Sequence, residues 1–161
     1  DTAPIQLRNM LYNGQAQPRT ALCPGSSLVH TVKLLAPRVK PHVRLIFTPD
    51  PGVRPFTCNR DRLKQLLINL VDNGLKATEF GAVTIVCKST ASHLILEISD
   101  TVYPCAPQNL QTLFSRLRPK NLVAGLGLSI VKHIAELYRG SIRVESKLGE
   151  GSTFRVELPY F

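Results

Sequence analysis

In "LLINLVDNGLKAT", Leu66 to Thr78, leucines and a valine recur at helical spacing, while Asn69, Asn73 and Lys76 fall four and three apart. Positions i, i+4 and i+7 share one stripe of a helix. One helix therefore carries an apolar face and a second stripe of two amides and an ammonium. The pattern extends back through "NRDRLKQ", with Asn59 or Asp61 as cap and Leu63, Leu66, Leu67, Leu70 and Val71 inward.

The same reading places other elements along the chain. Ile5 to Tyr12 reads as the tail of a helix that ends near the structure-breaking "NGQ", and a Pro- and Gly-containing connector runs on to Gly25. Ser26 or Ser27 can cap a helix from Leu28 to Ala36. Val43, Leu45 and Phe47 alternate with polar residues, which predicts a strand, and "DPGVRP" a loop. "GAVTIVCKS" and "HLILEISD", joined by Thr90 to Ser92, predict an antiparallel hairpin. Between Thr101 and Val123 the periodicity is lost. "GLGLSIVKHIAELYRG" predicts a helix closed by Gly140, and "SIRVESKLGEGSTFRVELP" two strands about a glycine-rich turn. Strand pairs without intervening helices imply an α+β domain, a mixed and mostly antiparallel sheet covered by helices on one face.

Composition narrows the class. The 161 residues suit one domain, and 43% apolar content suffices for a core. No apolar run reaches the ~18–20 residues of a membrane span, and "DTAPIQLRNM" lacks the form of a signal peptide. The chain reads as a piece of a longer protein. A formal charge of +9 admits nucleic acid, membrane surfaces or acidic partners. The basic residues are scattered, however, and no aromatic residues interleave even with the densest run, "SRLRPK". Nucleic-acid binding is therefore not expected, and an anionic small ligand or an acidic partner accounts for the charge as well. Cys23, Cys58, Cys87 and Cys105 are widely spaced, with no C-x-x-C; buried reduced thiols are expected rather than a zinc site.

Four stretches carry candidate chemistry. Asn69 and Asn73 offer neutral oxygens suited to Mg²⁺, and Lys76 one turn on offers a compact charge for phosphate. In "AGLGLSIVK", Gly125 and Gly127 stand where a loop enters a helix, so that free N–H groups can meet an anion. Asp100 ends the apolar strand "EISD", with Ile98 expected to point the other way; a buried carboxylate there needs a partner, such as an amino group. "GEGSTF" offers the Ser152 and Thr153 hydroxyls. Taken singly, these are a solvated helix face, a tight turn, a strand end and a hairpin.

Taken in order, they resemble the ATP-binding catalytic domain of sensor histidine kinases, in the superfamily that also holds gyrase, the heat-shock protein of 90 kDa and the mismatch-repair ATPase. "NLVDNGLKAT" looks like the N box and "GLGLSIVK" like the second glycine box; Ser99–Asp100, Leu113–Phe114 and "GEGSTF" look like the first glycine, phenylalanine and third glycine boxes. The resemblance spans Leu28 to Pro159. It implies a two-layer α/β sandwich of the Bergerat type with about three helices, and ATP and Mg²⁺ as ligands. Asn73 would ligate Mg²⁺ with Asn69 assisting, and Lys76 would face the phosphates. Asp100 would accept from the adenine amino group. Gly125, Gly127 and Leu128 would form the phosphate-holding hinge, and Thr153 would support the adenine end. No residue of this chain would be catalytic in the sense of accepting the phosphate.

The resemblance also implies the setting. Residues 1–25 would be the end of an upstream dimerisation helix and a linker, and 26–161 the catalytic domain. The partners would be the protein's own phosphoacceptor domain and a response regulator, in a homodimer; this fragment would be cytoplasmic, on its own or as the cytoplasmic part of a membrane-anchored sensor, without membrane contact itself. Hydrolysing members carry a Glu where Asn69 stands, and an amide cannot take a proton from water. Transfer to a histidine is therefore expected rather than hydrolysis. The acceptor is not in this chain, since His30, His42, His93 and His133 lack its helical, acid-flanked setting.

Departures from the family pattern lie on the base side. Val102 and Pro104 replace two glycines after Asp100, about ten residues separate Phe114 from Gly125, and Ala77 stands where an aromatic is usual. A second expectation follows: a degenerate kinase-like module that binds ATP weakly or not at all and acts through protein contacts.

Overall fold

A computed structural model describes residues 6–7, 21–23, 25–101, 126–147 and 150–160. Among these residues eight strands run in chain order: β1 (Gln6–Leu7), β2 (Ala21–Cys23), β3 (Val43–Pro49), β4 (Phe56–Cys58), β5 (Gly81–Ser89), β6 (His93–Asp100), β7 (Ser141–Lys147) and β8 (Gly151–Pro159). The helices are α1 (Gly25–Leu35), α2 (Arg60–Ala77) and α3 (Leu126–Leu137). Six strands form one sheet in the order β1-β3-β5-β6-β8-β7, and β2 pairs with β4 apart from it. The β1–β3 and β3–β5 pairs are parallel; the rest of the sheet is antiparallel. This is the expected mixed, mostly antiparallel α+β sandwich.

Alternation along the strands makes the two layers. Val43, Leu45 and Phe47 on β3 are buried, as are Val83, Ile85 and Cys87 on β5 and Phe154, Val156 and Leu158 on β8. These share the inner face with Leu94, Leu96 and Ile98 of β6, and the helices lie over it. The outer face carries charge. Lys88 bonds Glu97 at 3.0 Å, and Arg155 joins Glu97 at 3.0 Å to Glu157 at 2.7 Å. An antiparallel sheet tolerates one solvated face in this way. Ile95 is buried on that face, opposite Lys88 on one neighbouring strand and Glu157 on the other.

The central helix, α2, forms as its sequence predicts. Asn59 Oδ1 accepts from the N–H groups of Asp61 at 2.9 Å and Arg62 at 3.3 Å, satisfying two end donors. All five residues expected inward are buried, together with Gly74 and Leu75. The helix stops at Thr78, whose hydroxyl and N–H both donate to the Gly74 carbonyl, at 2.8 and 3.0 Å.

Three local differences from the sequence reading appear. Gln6 and Leu7 are strand, not helix, and pair in parallel with Ile46 and Phe47; the short strand shields an edge of β3 that would otherwise expose unpaired backbone. Strands β2 and β4 occupy stretches read as connector and as the run-up to α2. At the end of α3, Arg139, not Gly140, takes the left-handed position, with φ 54°. Its N–H donates to Glu136 O at 2.9 Å, and the Gly140 N–H donates to Ala135 O at 2.8 Å, the paired closure of a Schellman turn. Gly140 is needed for closeness instead: a Cβ there would lie 2.3 Å from the Glu157 carbonyl oxygen. Among the described residues, no helix is long and apolar enough to cross a membrane.

Candidate functional site

The C-terminal half of α2, the start of α3 and one end of the sheet converge on a polar patch in an otherwise apolar layer. Asp100 is the last residue of β6, two beyond Ile98, and shares the inner face with it; the expectation that the two point apart does not hold, because residues two apart on a strand lie on one side. Asp100 is only 6% exposed. Among the described residues one hydrogen bond reaches its carboxyl, from the Ser152 N–H to Oδ1 at 3.1 Å. Burial raises its pKa from 3.8 to about 6, against the opposing pull of that N–H. Gly74 passes beside it: a Cβ there would stand 3.7 Å from the Asp100 Cβ and 3.3 Å from a Val83 methyl.

On α2 the stripe of Asn69, Asn73 and Lys76 grades from interior to solvent. Asn69 and Asn73 are half-buried, and Lys76 is exposed in the last turn. The Asn69 Nδ2 is fully buried and has no partner among the described residues. A solvated helix face would not leave that amide dry. Gly127, in the first turn of α3, lies against it, a Cβ there falling 3.9 Å from the Asn69 Cβ. The start of α3, whose first N–H groups have no intrahelical acceptor, thus packs beside Asn69. Leu128 is half-buried and packs on the core. Gly125, Val102, Pro104 and Leu113–Phe114 lie outside the described residues.

Thr153 is placed apart from these. It lies on the outer face, its Oγ1 3.0 Å from the Ser99 Oγ, while Asp100 and the helices lie on the inner one. Its neighbour Ser152 occupies the inner position. Ser152 is 5% exposed, bonds Asp100 through its N–H, and has its Oγ 3.1 Å from the Ser146 Oγ of β7. Gly151, with φ 113°, delivers the chain into this strand. The sequence carries the signal for Ser152: Phe154 is the obvious core residue, and counting back two from it reaches Ser152.

The site therefore offers a buried carboxylate acceptor at one end. At the other it has an orphan amide donor, a helix start, a second amide and a lysine. The residues fit a ligand with an amino-bearing base and an anionic tail. Among the described residues no group of three or more His, Cys, Asp or Glu could hold a metal ion. A hard cation would have to draw its oxygens from the Asn73 amide, from water and from the ligand's own phosphates.

Comparison with known proteins bears on this patch. A family described as histidine kinase-, DNA gyrase B- and HSP90-like ATPases matches residues 58–161. The sensor protein SrrB of Staphylococcus aureus (strain MRSA252) is 40% identical over 114 residues, 66% of this chain and 20% of that protein. The chain thus spans about a fifth of the length of the curated relatives it matches. Among solved structures, full-length ShkA in complex with AMPPNP superposes with a TM-score of 0.71 at 25% identity, over 90% of this chain and 32% of that one. A nucleotide-free catalytic domain of the histidine kinase ThkA gives a TM-score of 0.67 at 27% identity, over 83% of this chain and 92% of that one.

Proposed function

The chain belongs to the family of histidine kinase-, DNA gyrase B- and HSP90-like ATPases, and we propose that it is the ATP-binding catalytic domain of a two-component sensor histidine kinase. In this reading it binds Mg·ATP and presents the γ-phosphate to a histidine on a separate dimerisation domain. The observation that carries the reading is the Asn69 amide: a buried donor without a partner among the described residues, beside a helix start, is a costly arrangement that a bound anion would relieve.

Each group then has a task. Asp100 accepts from the exocyclic amino group of adenine, and Ser152 flanks it. Asn69 and the first N–H groups of α3 hold phosphate oxygens, while Lys76 supplies charge from the rim. Asn73 ligates Mg²⁺, which neutralises phosphate charge when bound. With an amide at position 69, the site positions and neutralises rather than activating water. The phosphoacceptor histidine, the homodimer, the response regulator and a cytoplasmic location belong to the same proposal. So does the division into residues 1–25 as linker and 26–161 as catalytic domain, with no part for nucleic acid and no membrane contact by this fragment.

A second reading, a degenerate module working through protein contacts, is favoured by Val102 and Pro104 in place of glycines after Asp100. Titration calorimetry with a non-hydrolysable ATP analogue, with and without Mg²⁺, separates the two. Binding that tightens with Mg²⁺ and loses this dependence in Asn73→Ala supports the kinase reading. Absence of binding at millimolar ligand sinks it and leaves the second.

A further inference from the structure

We propose that Ser146 is a positioning residue for base recognition: it donates a hydrogen bond to the Ser152 hydroxyl and so turns that hydroxyl's own proton toward the base edge beside Asp100. This rests on the nucleotide-binding reading above. Antiparallel register sets Asp100 opposite Ser152 and Ser152 opposite Ser146, so the three side chains form a row across β6, β8 and β7. Each is the point where an inner-face alternation turns polar. Asp100 follows Leu96 and Ile98, Ser146 follows Ile142 and Val144, and Ser152 precedes Phe154 and Val156. Three neighbouring strands change from apolar to polar at one level, at the end of the sheet that meets Gly74.

The direction of one hydrogen bond decides what this row can read. A serine hydroxyl has one proton and two lone pairs. Across the 3.1 Å contact between the two Oγ atoms, either serine can be the donor. If Ser152 donates to Ser146, the row presents two acceptors side by side, carboxylate and hydroxyl oxygen. If Ser146 donates, the Ser152 proton is released, and the row presents an acceptor beside a donor. The pairing edge of adenine offers an amino donor beside the ring acceptor N1, the complement of the second arrangement. The corresponding edge of guanine offers a carbonyl acceptor beside an N–H donor, opposed to it at both positions. Donation by Ser146 also polarises the Ser152 O–H, since a hydroxyl that accepts becomes a stronger donor. Ser146 needs no contact with the base; it acts through Ser152.

The test compares a non-hydrolysable ATP analogue with its 1-deaza form, in which C–H replaces N1, and with the guanine counterpart. Each is titrated with Mg²⁺ into the whole chain and into Ser146→Ala, Ser146→Cys and Ser146→Thr. In the unsubstituted chain, loss of N1 weakens binding about five-fold, the scale of one net hydrogen bond. In Ser146→Ala the Ser152 hydroxyl keeps its proton but loses its fixed direction and can also accept from the guanine edge, so the preference for adenine over guanine narrows and the 1-deaza penalty falls. Ser146→Cys, similar in size but a weak donor, behaves as the alanine variant does, and Ser146→Thr restores both readouts. Thermal melts of the alanine and cysteine variants fall by only the few degrees that one part-buried hydrogen bond is worth, and that of Ser146→Thr stays close to the parent's. An equal 1-deaza penalty in the parent and in Ser146→Ala overturns the proposal while leaving nucleotide binding intact. Failure of the parent to bind any of the nucleotides overturns the nucleotide reading, and this proposal with it.

Discussion

Thr153 and Asp100 lie on opposite faces of one sheet, although Thr153 directly follows the residue that bonds the Asp100 carboxyl. The consequence is a separation of effects. Thr153→Ala loses the contact with Ser99 and costs about 0.5–1 kcal/mol of stability, the net worth of a part-buried hydrogen bond. Its affinity for an ATP analogue stays within about two-fold of the parent, because the lost contact is outside the pocket. Denaturant unfolding and calorimetry on the one variant check both halves.

Asp100 predicts opposite pH trends for stability and binding. Its folded pKa, about 6, lies above the ordinary 3.8. The folded state therefore holds the proton more tightly, and the stabilisation this gives is full below the lower value and lost as pH rises through the upper one. The nucleotide-free protein should weaken across that window by on the order of 3 kcal/mol, and Asp100→Asn should flatten the slope. The ionised carboxylate is the stronger acceptor for the adenine amino group, so affinity should rise through about pH 6 while stability falls. Unfolding midpoints and binding constants measured across the window check the crossing; affinity indifferent to pH would remove Asp100 from the base site.

Asn69→Leu should exchange function for stability. The buried Nδ2 has no partner among the described residues, so an apolar side chain of similar size removes a desolvated donor. The variant is expected to gain about 1 kcal/mol of stability and to lose binding of the ATP analogue. A variant that is destabilised and still binds would show the amide to be satisfied within the fold.

The turn after α3 separates two glycine roles. Arg139→Gly relieves the left-handed φ and should raise stability by about 0.5–1 kcal/mol. Gly140→Ala should lower it by about 2 kcal/mol or more, since the new Cβ meets the Glu157 carbonyl and one of the two must move. Chemical denaturation of the two variants gives opposite shifts of midpoint if this account holds.

These elements also show what could be read in the sequence. The apolar stripe of α2 and the alternation of β3, β5, β6 and β8 were legible, because burial on one side imposes a period that survives over seven or more residues. Strands β1, β2 and β4, of two or three residues, are too short to display a period, and pairing rather than pattern creates them. At the site, Asp100 and Asn69 were visible as polar groups inside apolar patterns. Ser152 was hidden by its neighbour, since two adjacent hydroxyls look alike until Phe154 sets the phase. Gly140 looked like the end of a helix because glycine so often adopts the left-handed turn; the close approach that requires it comes from β8, remote in sequence.

Strand β8 follows β7 along the chain but lies between β6 and β7 in the sheet. During synthesis β7 emerges with no neighbour to pair with and must wait for β8, which bridges it to a hairpin completed some fifty residues earlier. Asp100 meets its only described hydrogen-bond donor in that same late step, across a separation of 52 residues. Closing so long a loop is slow and entropically costly. A nascent chain that has not yet released Ser152 therefore has neither a finished sheet nor a base-reading edge, and ligand capture becomes a signal that the last strand has docked.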